Sequence, residues 1–174
     1  YGSRETLDAL RCHLFNDVIW PDFIRLSRPE RPFLLLREVS DETPLDVEGL
    51  RILPVKVSHI VPTFGYIVTN GHSTVVFGAD SGPTDRIWKL SGDFPEPRTV
   101  ILESAFPDSM AELARIAAHL TPALVKLEVA KMPAVERIIA VHLKVRFRKK
   151  IEEELLSLAV PGLVIGECGP IYEV

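Results

Sequence analysis

Residues 65–80 read Gly-Tyr-Ile-Val-Thr-Asn-Gly-His-Ser-Thr-Val-Val-Phe-Gly-Ala-Asp, and this stretch decides the fold class. Two runs of β-branched and aromatic residues, Gly65 to Thr69 and Thr74 to Gly78, flank Asn70-Gly71, a dipeptide that supplies the positive φ of a tight hairpin. The pattern then changes: Asp80 closes the second strand, and Ser81-Gly82-Pro83-Thr84 predicts the start of a short helix ending near Leu90. Downstream the alternation continues. It predicts strands over Arg98–Leu102 and Arg137–Val141, and helices over Ser109–Ala118, Thr121–Ala130 and Lys144–Leu158. Short strands at Leu163–Gly166 and Ile171–Val174 close the chain. Upstream, strands are expected at Pro32–Val39 and Leu50–His59, and Ser3 caps a helix running to about Phe15, with Trp20-Pro21-Asp22 barring any continuation. Hairpin strands in the first half and strand-helix units in the second predict a layered α/β sandwich in one domain over residues 1–174.

Composition narrows the class. The 174 residues are 47% hydrophobic and 25% charged, which suits a folded domain with a core and excludes a disordered or fibrous chain. The longest apolar runs are too short to cross a bilayer, so a soluble, cytoplasmic protein is expected. A net charge of −4 argues against a generic nucleic-acid surface, which needs clustered Lys and Arg. The exception, Lys144 to Lys150, reads as a solvated helix start. Cys12 and Cys168 lack metal-type spacing and are expected to be free thiols.

Five histidines are present. His13, inside the first helix, and His72, in the hairpin turn, are given no role. His59, His119 and His142 fall at junctions between a regular element and a loop, where α/β proteins place their chemistry. His59 and His142 follow apolar strands, as does Asp80. Imidazole and carboxylate groups on separate strand ends are what a zinc, iron or manganese site requires. Each also has a structural explanation: Asp80 as a cap or Asx-turn residue, His119 as a cation at a helix carboxyl end.

Taken in order, Val57-Ser58-His59, Phe64-Gly65-Tyr66, Gly78-Ala79-Asp80-Ser81-Gly82-Pro83-Thr84, Glu103-Ser104-Ala105-Phe106-Pro107, His119-Leu120-Thr121-Pro122 and His142-Leu143-Lys144 resemble metallo-β-lactamase-fold phosphodiesterases. The opening Tyr1-Gly2, with His13-Leu14-Phe15-Asn16-Asp17 and Ile19-Trp20-Pro21-Asp22-Phe23, is similar to the class II 3′,5′-cyclic nucleotide branch. The resemblance implies an αββα sandwich with a centre of two divalent metal ions, zinc first, with iron or manganese as alternatives. It assigns His59 to one metal, Asp80 to both and His142 to the other, and makes His119 the catalytic group beside the scissile phosphate. The implied substrate is a small cyclic nucleotide, cAMP or cGMP, opened to its 5′-nucleotide.

Three departures accompany the resemblance. Ala79 stands where the family usually has glycine, and Ser81 where it has threonine. The family's His-x-His-x-Asp-His run, which supplies the other four metal ligands, has no match here. The chain is therefore expected to be the C-terminal portion of such an enzyme, an incomplete fold inactive by itself. Its sheet is expected to expose apolar surface that invites pairing, a homodimer included. Two further readings stay open: another phosphodiesterase of the same fold, such as a tRNA-processing nuclease, and a non-catalytic interaction module.

Overall fold

The structure is a computed structural model and describes residues 1–173. Six helices are α1 (Arg4–Ala9), α2 (Phe23–Leu26), α3 (Arg86–Ser91), α4 (Ala111–Ala117), α5 (Pro122–Val129) and α6 (Arg148–Ser157). Seven strands are β1 (Leu45–Val47), β2 (Leu50–Lys56), β3 (Phe64–Thr69), β4 (Thr74–Phe77), β5 (Arg98–Glu103), β6 (Arg137–Val141) and β7 (Leu163–Ile165), and they form one sheet whose spatial order is the chain order. Strands β1 to β4 are an antiparallel meander, and β5, β6 and β7 join parallel to β4 and to one another.

Alternation along the strands separates two faces. Leu53 and Val55, Ile67, Val76, Val100 and Leu102, and Ile138 and Ala140 point to one face. There they pack with Ile87 and Trp88 of α3, Val125 of α5, and Ile151 and Leu155 of α6 in a single core. Each fully buried aliphatic side chain contributes roughly 1.5–3 kcal/mol. The helices share this face because parallel strands joined through crossovers of one hand must set them on the same side.

The other face keeps Tyr66, Val68, Val75, Ile101 and Val141 only half-buried and leaves Phe77 exposed. Tyr1 and Val39 line a shallow cavity of about 350 Å³ over one part of it, and Cys168 and Tyr172 one of about 450 Å³ over another. The described residues thus form one sheet with a helix layer packed on one face and apolar side chains less covered on the other, an α/β architecture as the sequence predicts.

The differences from expectation have local causes. The hairpin forms, but with Thr69 paired to Thr74 its loop has four residues, and Asn70 Oδ1 accepts the N–H groups of His72 and Ser73. Only Gly71 takes positive φ (+89°), so the two-residue turn does not occur. Helix α3 starts at Arg86 rather than Ser81, and the N–H groups of residues 81, 82 and 84 ahead of it are held by other parts of the chain. Ser81 N donates to Glu103 Oε1 (2.7 Å), Gly82 N to Ser58 O (2.7 Å) and Thr84 N to Glu128 Oε2 (3.1 Å).

Strand β2 ends at Lys56, three residues short of His59, and β1 was not foreseen. Pro32–Val39 is not a strand: Gly2, which bridges to Glu38, is its only ladder partner among the described residues. Ser3 caps α1 through Thr6 N, but the helix widens after Ala9 into a π turn over Leu10–Leu14. Asp22 caps the short α2. The 3₁₀ turns Asp108–Met110 and Val145–Phe147 precede α4 and α6. Residues 171–173 form no strand, and Val174 lies outside the described residues. Cys12 and Cys168 are free and exposed. No described helix is long and apolar enough to cross a membrane.

Gly65 in β3 is a point of close approach: a Cβ there would stand 2.5 Å from Ile87 Cδ1 and 2.7 Å from the carbonyl oxygen of Phe77. The methyl of Ile87 can move and the carbonyl cannot. Gly65→Ala is expected to destabilise the chain by about 1–3 kcal/mol in urea denaturation, and an unchanged midpoint would show that the α3–β3 contact is loose.

Candidate active site

The direction of the strands builds the site. Strand β2 is antiparallel to β3 and β3 to β4, so β2 runs the same way as β4, β5 and β6. The carboxyl ends of these four strands therefore lie along one edge of the sheet, the edge at which open α/β sheets bind ligands. His59 follows β2, Asp80 follows β4, Glu103 ends β5 and His142 follows β6. His119 reaches the same edge through the loop after α4, where Ala105 N donates to Leu120 O (3.0 Å).

The structure brings together the four residues predicted from sequence. The rings of His59 and His119 are 5.1 Å apart edge to face, those of His119 and His142 are stacked at 5.4 Å, and His142 Nε2 lies 3.6 Å from Asp80 Oδ2. Asp80 and His142 are partly exposed, whereas His119 is buried. Both cysteines, His13 and His72 lie outside this cluster. Trp20 lines an apolar groove with Phe15, Phe23 and Phe33, and Phe64 packs edge-on with Tyr66.

Glu103 is the site residue that sequence reasoning missed. It is 1% exposed. Its Oε1 accepts Ser81 N at 2.7 Å and faces His119 Nδ1 at 2.7 Å, and its Oε2 accepts Leu120 N at 3.2 Å. The available signal was a carboxylate closing the apolar run Thr99-Val100-Ile101-Leu102, because a charge at the end of a buried strand needs partners.

The electrostatics of the pair favour one shared proton. Burial lifts the Glu103 carboxyl to about 7, against the pull of the Leu120 and Ser81 N–H groups. Burial also holds His119 below the ordinary imidazole value, helped by the charges of His59 and Lys144 and opposed by Asp80. With Glu103 ionised, Nδ1–H donates to Oε1; with Glu103 protonated, the carboxyl donates to Nδ1. In both states Nε2 is the imidazole nitrogen left for chemistry. His59 Nδ1 donates to Ala118 O (3.1 Å), which leaves its Nε2 lone pair free, the tautomer a metal ligand requires.

Two orphans and three left-handed residues surround this cluster. Among the described residues the hydroxyls of Ser81 and Ser104 are buried without a partner, each next in sequence to a site carboxylate. Ala79, Ala118 and His142 have φ of +57°, +51° and +57°, so a strained non-glycine residue precedes Asp80, precedes His119 and forms His142 itself. A cleft of about 650 Å³ opens beside His119, walled by Ser58, Gly82 and Pro83 on one side and Ala111 and Arg115 on the other.

No three described His, Cys, Asp or Glu side chains converge tightly enough to hold a metal ion. Two do fit as a pair. Ligands bonded at about 2.1 Å to one tetrahedral ion stand about 3.4 Å apart, close to the Asp80–His142 separation of 3.6 Å.

Neither a family model nor a curated protein sequence matches the chain. Solved structures do. The metallo-β-lactamase fold protein YhfI from Bacillus subtilis superposes with a TM-score of 0.69 at 21% identity, over 91% of this chain and 62% of its own. This chain has a metallo-β-lactamase-type fold. Zn²⁺-bound PqqB from Methylobacterium extorquens matches at TM-score 0.59 and 14% identity, over 79% of this chain and 55% of its own. Human tRNase Z, short form, matches at 0.50 and 20%, over 59% and 39%. The chain thus spans less than two thirds of the length of each of these three structures.

Two outcomes follow from this geometry. A carboxyl raised by folding stabilises the folded state fully below its unfolded value of 4.5, and that contribution is lost as pH rises through about 7. Wild type is therefore expected to lose up to about 3 kcal/mol more than Glu103→Gln between pH 4.5 and 8, read from urea denaturation at each pH. Ala79→Gly is expected to leave stability unchanged or raise it by up to about 1 kcal/mol, because glycine relieves the positive φ. A loss of that size would show that position 79 is not strained.

Proposed function

We propose that the chain forms part of a metal-dependent phosphodiesterase that opens 3′,5′-cyclic nucleotides to 5′-nucleotides. The observation that carries the reading is the meeting of His59, Asp80, His119 and His142 at one sheet edge, with His119 backed by a buried carboxylate. A packed scaffold needs none of these groups together, and each desolvated charge costs stability. The fold shared with Zn²⁺-bound PqqB supports metal chemistry at this edge.

In this reading His142 would hold one divalent cation, His59 would offer its free Nε2 to a second, and Asp80 would serve both. Zinc is preferred, with iron or manganese able to use the same donors. The cations, when bound, supply charge for the phosphate oxygens and activate the attacking water. The chain's own residues do the rest. Glu103 fixes the His119 ring by its Nδ1 bond and tunes its proton, and His119 Nε2 delivers that proton to the leaving 3′-oxygen. Ser58 O accepts Gly82 N and ties the loops that carry His59 and Asp80 together, and Ala118 O ties the His59 ring to the loop that carries His119. The donors of this chain are too few for two ions, so activity belongs to a longer polypeptide that adds the missing ligands.

The test is hydrolysis of cAMP with added zinc or manganese, by this chain and by a protein extended upstream through further His and Asp donors. The extended protein is expected to turn over cAMP, with His119→Ala lowering kcat by about 10²–10⁴. Absence of turnover with cAMP and cGMP, or an unaffected His119→Ala variant, would sink the proposal; cleavage of precursor tRNA instead would move the substrate to RNA.

A further inference from the structure

Lys144 lies two residues beyond His142, and nothing in the fold requires its charge. Its side chain is half-buried, yet among the described residues its ammonium makes neither an ion pair nor a hydrogen bond. Its Nζ stands 5.0 Å from the centroid of the Phe106 ring, and that ring meets the His119 ring edge-on at 5.8 Å. An uncompensated cation and the imidazole at the centre of the site therefore contact the same aromatic ring.

The rest of the basic cluster is differently employed. Arg148 pairs with Glu152 at 2.6 Å, Lys150 lies 3.5 Å from Glu154, and Arg146 covers the ring of Phe147. Lys149 is exposed on α6. The Lys144 backbone is tied at both ends: its N–H donates to Ala105 O at 3.4 Å, in the loop after Glu103, and its carbonyl accepts Phe147 N at 2.8 Å. The stem is held by the same loop that sets Phe106, while the head is available. A contact with an aromatic face is weaker than a charge-assisted hydrogen bond, so an anion at the site draws the ammonium off the ring.

We propose that Lys144 is the anion-holding residue of this site, its ammonium binding a non-bridging oxygen of a phosphodiester and of the phosphate monoester left after cleavage. The proposal rests on the phosphodiesterase reading for its substrate class. Its chemistry is the recognition of a phosphate oxyanion by a compact ammonium. The cation is local, so recognition does not need the broad basic surface that the net charge of −4 denies this protein.

The experiment uses the chain itself, without metal, and inorganic phosphate as the probe. Phosphate is titrated at low ionic strength into wild type, Lys144→Met, Lys144→Arg and, as a control, Lys149→Met, with the imidazole resonances followed by NMR. Lys144→Met keeps the apolar stem and removes the charge. It is expected to weaken phosphate binding by about tenfold or more while the spectrum stays that of a folded chain. Lys144→Arg is expected to restore most of the affinity, and Lys149→Met to match wild type.

Equal phosphate affinity in wild type and Lys144→Met would overturn the proposal, as would the absence of any shift at His119 or His142 in wild type. A cation–π contact with a purely structural role would change stability in Lys144→Met and leave phosphate binding alone. The binding readout is independent of turnover: loss of phosphate in Lys144→Met alongside an extended protein that hydrolyses no phosphodiester would keep the anion site and discard the reaction. Turnover with unchanged phosphate affinity would do the reverse.

Discussion

The carboxylate of Glu103 joins three parts of the chain that are distant in sequence: Ser81 after β4, the His119–Leu120 loop after α4, and β5 itself. A carboxylate without water must find donors, and here the donors are the backbone of the segments that carry Asp80 and His119. The interaction that makes the burial tolerable is therefore the one that assembles the site. Glu128 repeats the arrangement one layer away, accepting Thr84 N, Trp88 Nε1 and Lys131 Nζ, so the loop between Asp80 and α3 is held from two sides.

Strain is placed where this frame can bear it. Ala79, Ala118 and His142 each take left-handed backbone at the end of a strand or helix, the first two just before Asp80 and His119 and the third at a site residue itself. The family that the sequence resembles usually has glycine at the position of Ala79, and the positive φ is the physical reason glycine suits it. The partnerless hydroxyls of Ser81 and Ser104 lie within the same frame and have room in their hydrogen bonding for a site occupant or a buried water.

The sheet carries two faces of different character. One is sealed by α3, α5 and α6; the other presents Tyr66, Val68, Phe77 and Val141 with little cover. The cluster of His59, Asp80, His119 and His142 lies at the edge where the strands of this sheet end.

Much of this was legible in the residues themselves. The alternating apolar runs around Asn70-Gly71 marked the hairpin, the segment Arg137–Val141 marked its strand without error, and the ordered motifs marked His59, Asp80, His119 and His142, because hydrophobic period and chemically distinctive side chains are local properties. Tertiary structure decided the rest. It denied Pro32–Val39 a partner, shortened β2, moved the start of α3, and turned Glu103 from the last residue of a strand into the partner of a histidine sixteen positions on. A strand is defined by its neighbour and a buried charge by its donors, and both are set by contacts between residues far apart in the chain, which no local pattern encodes.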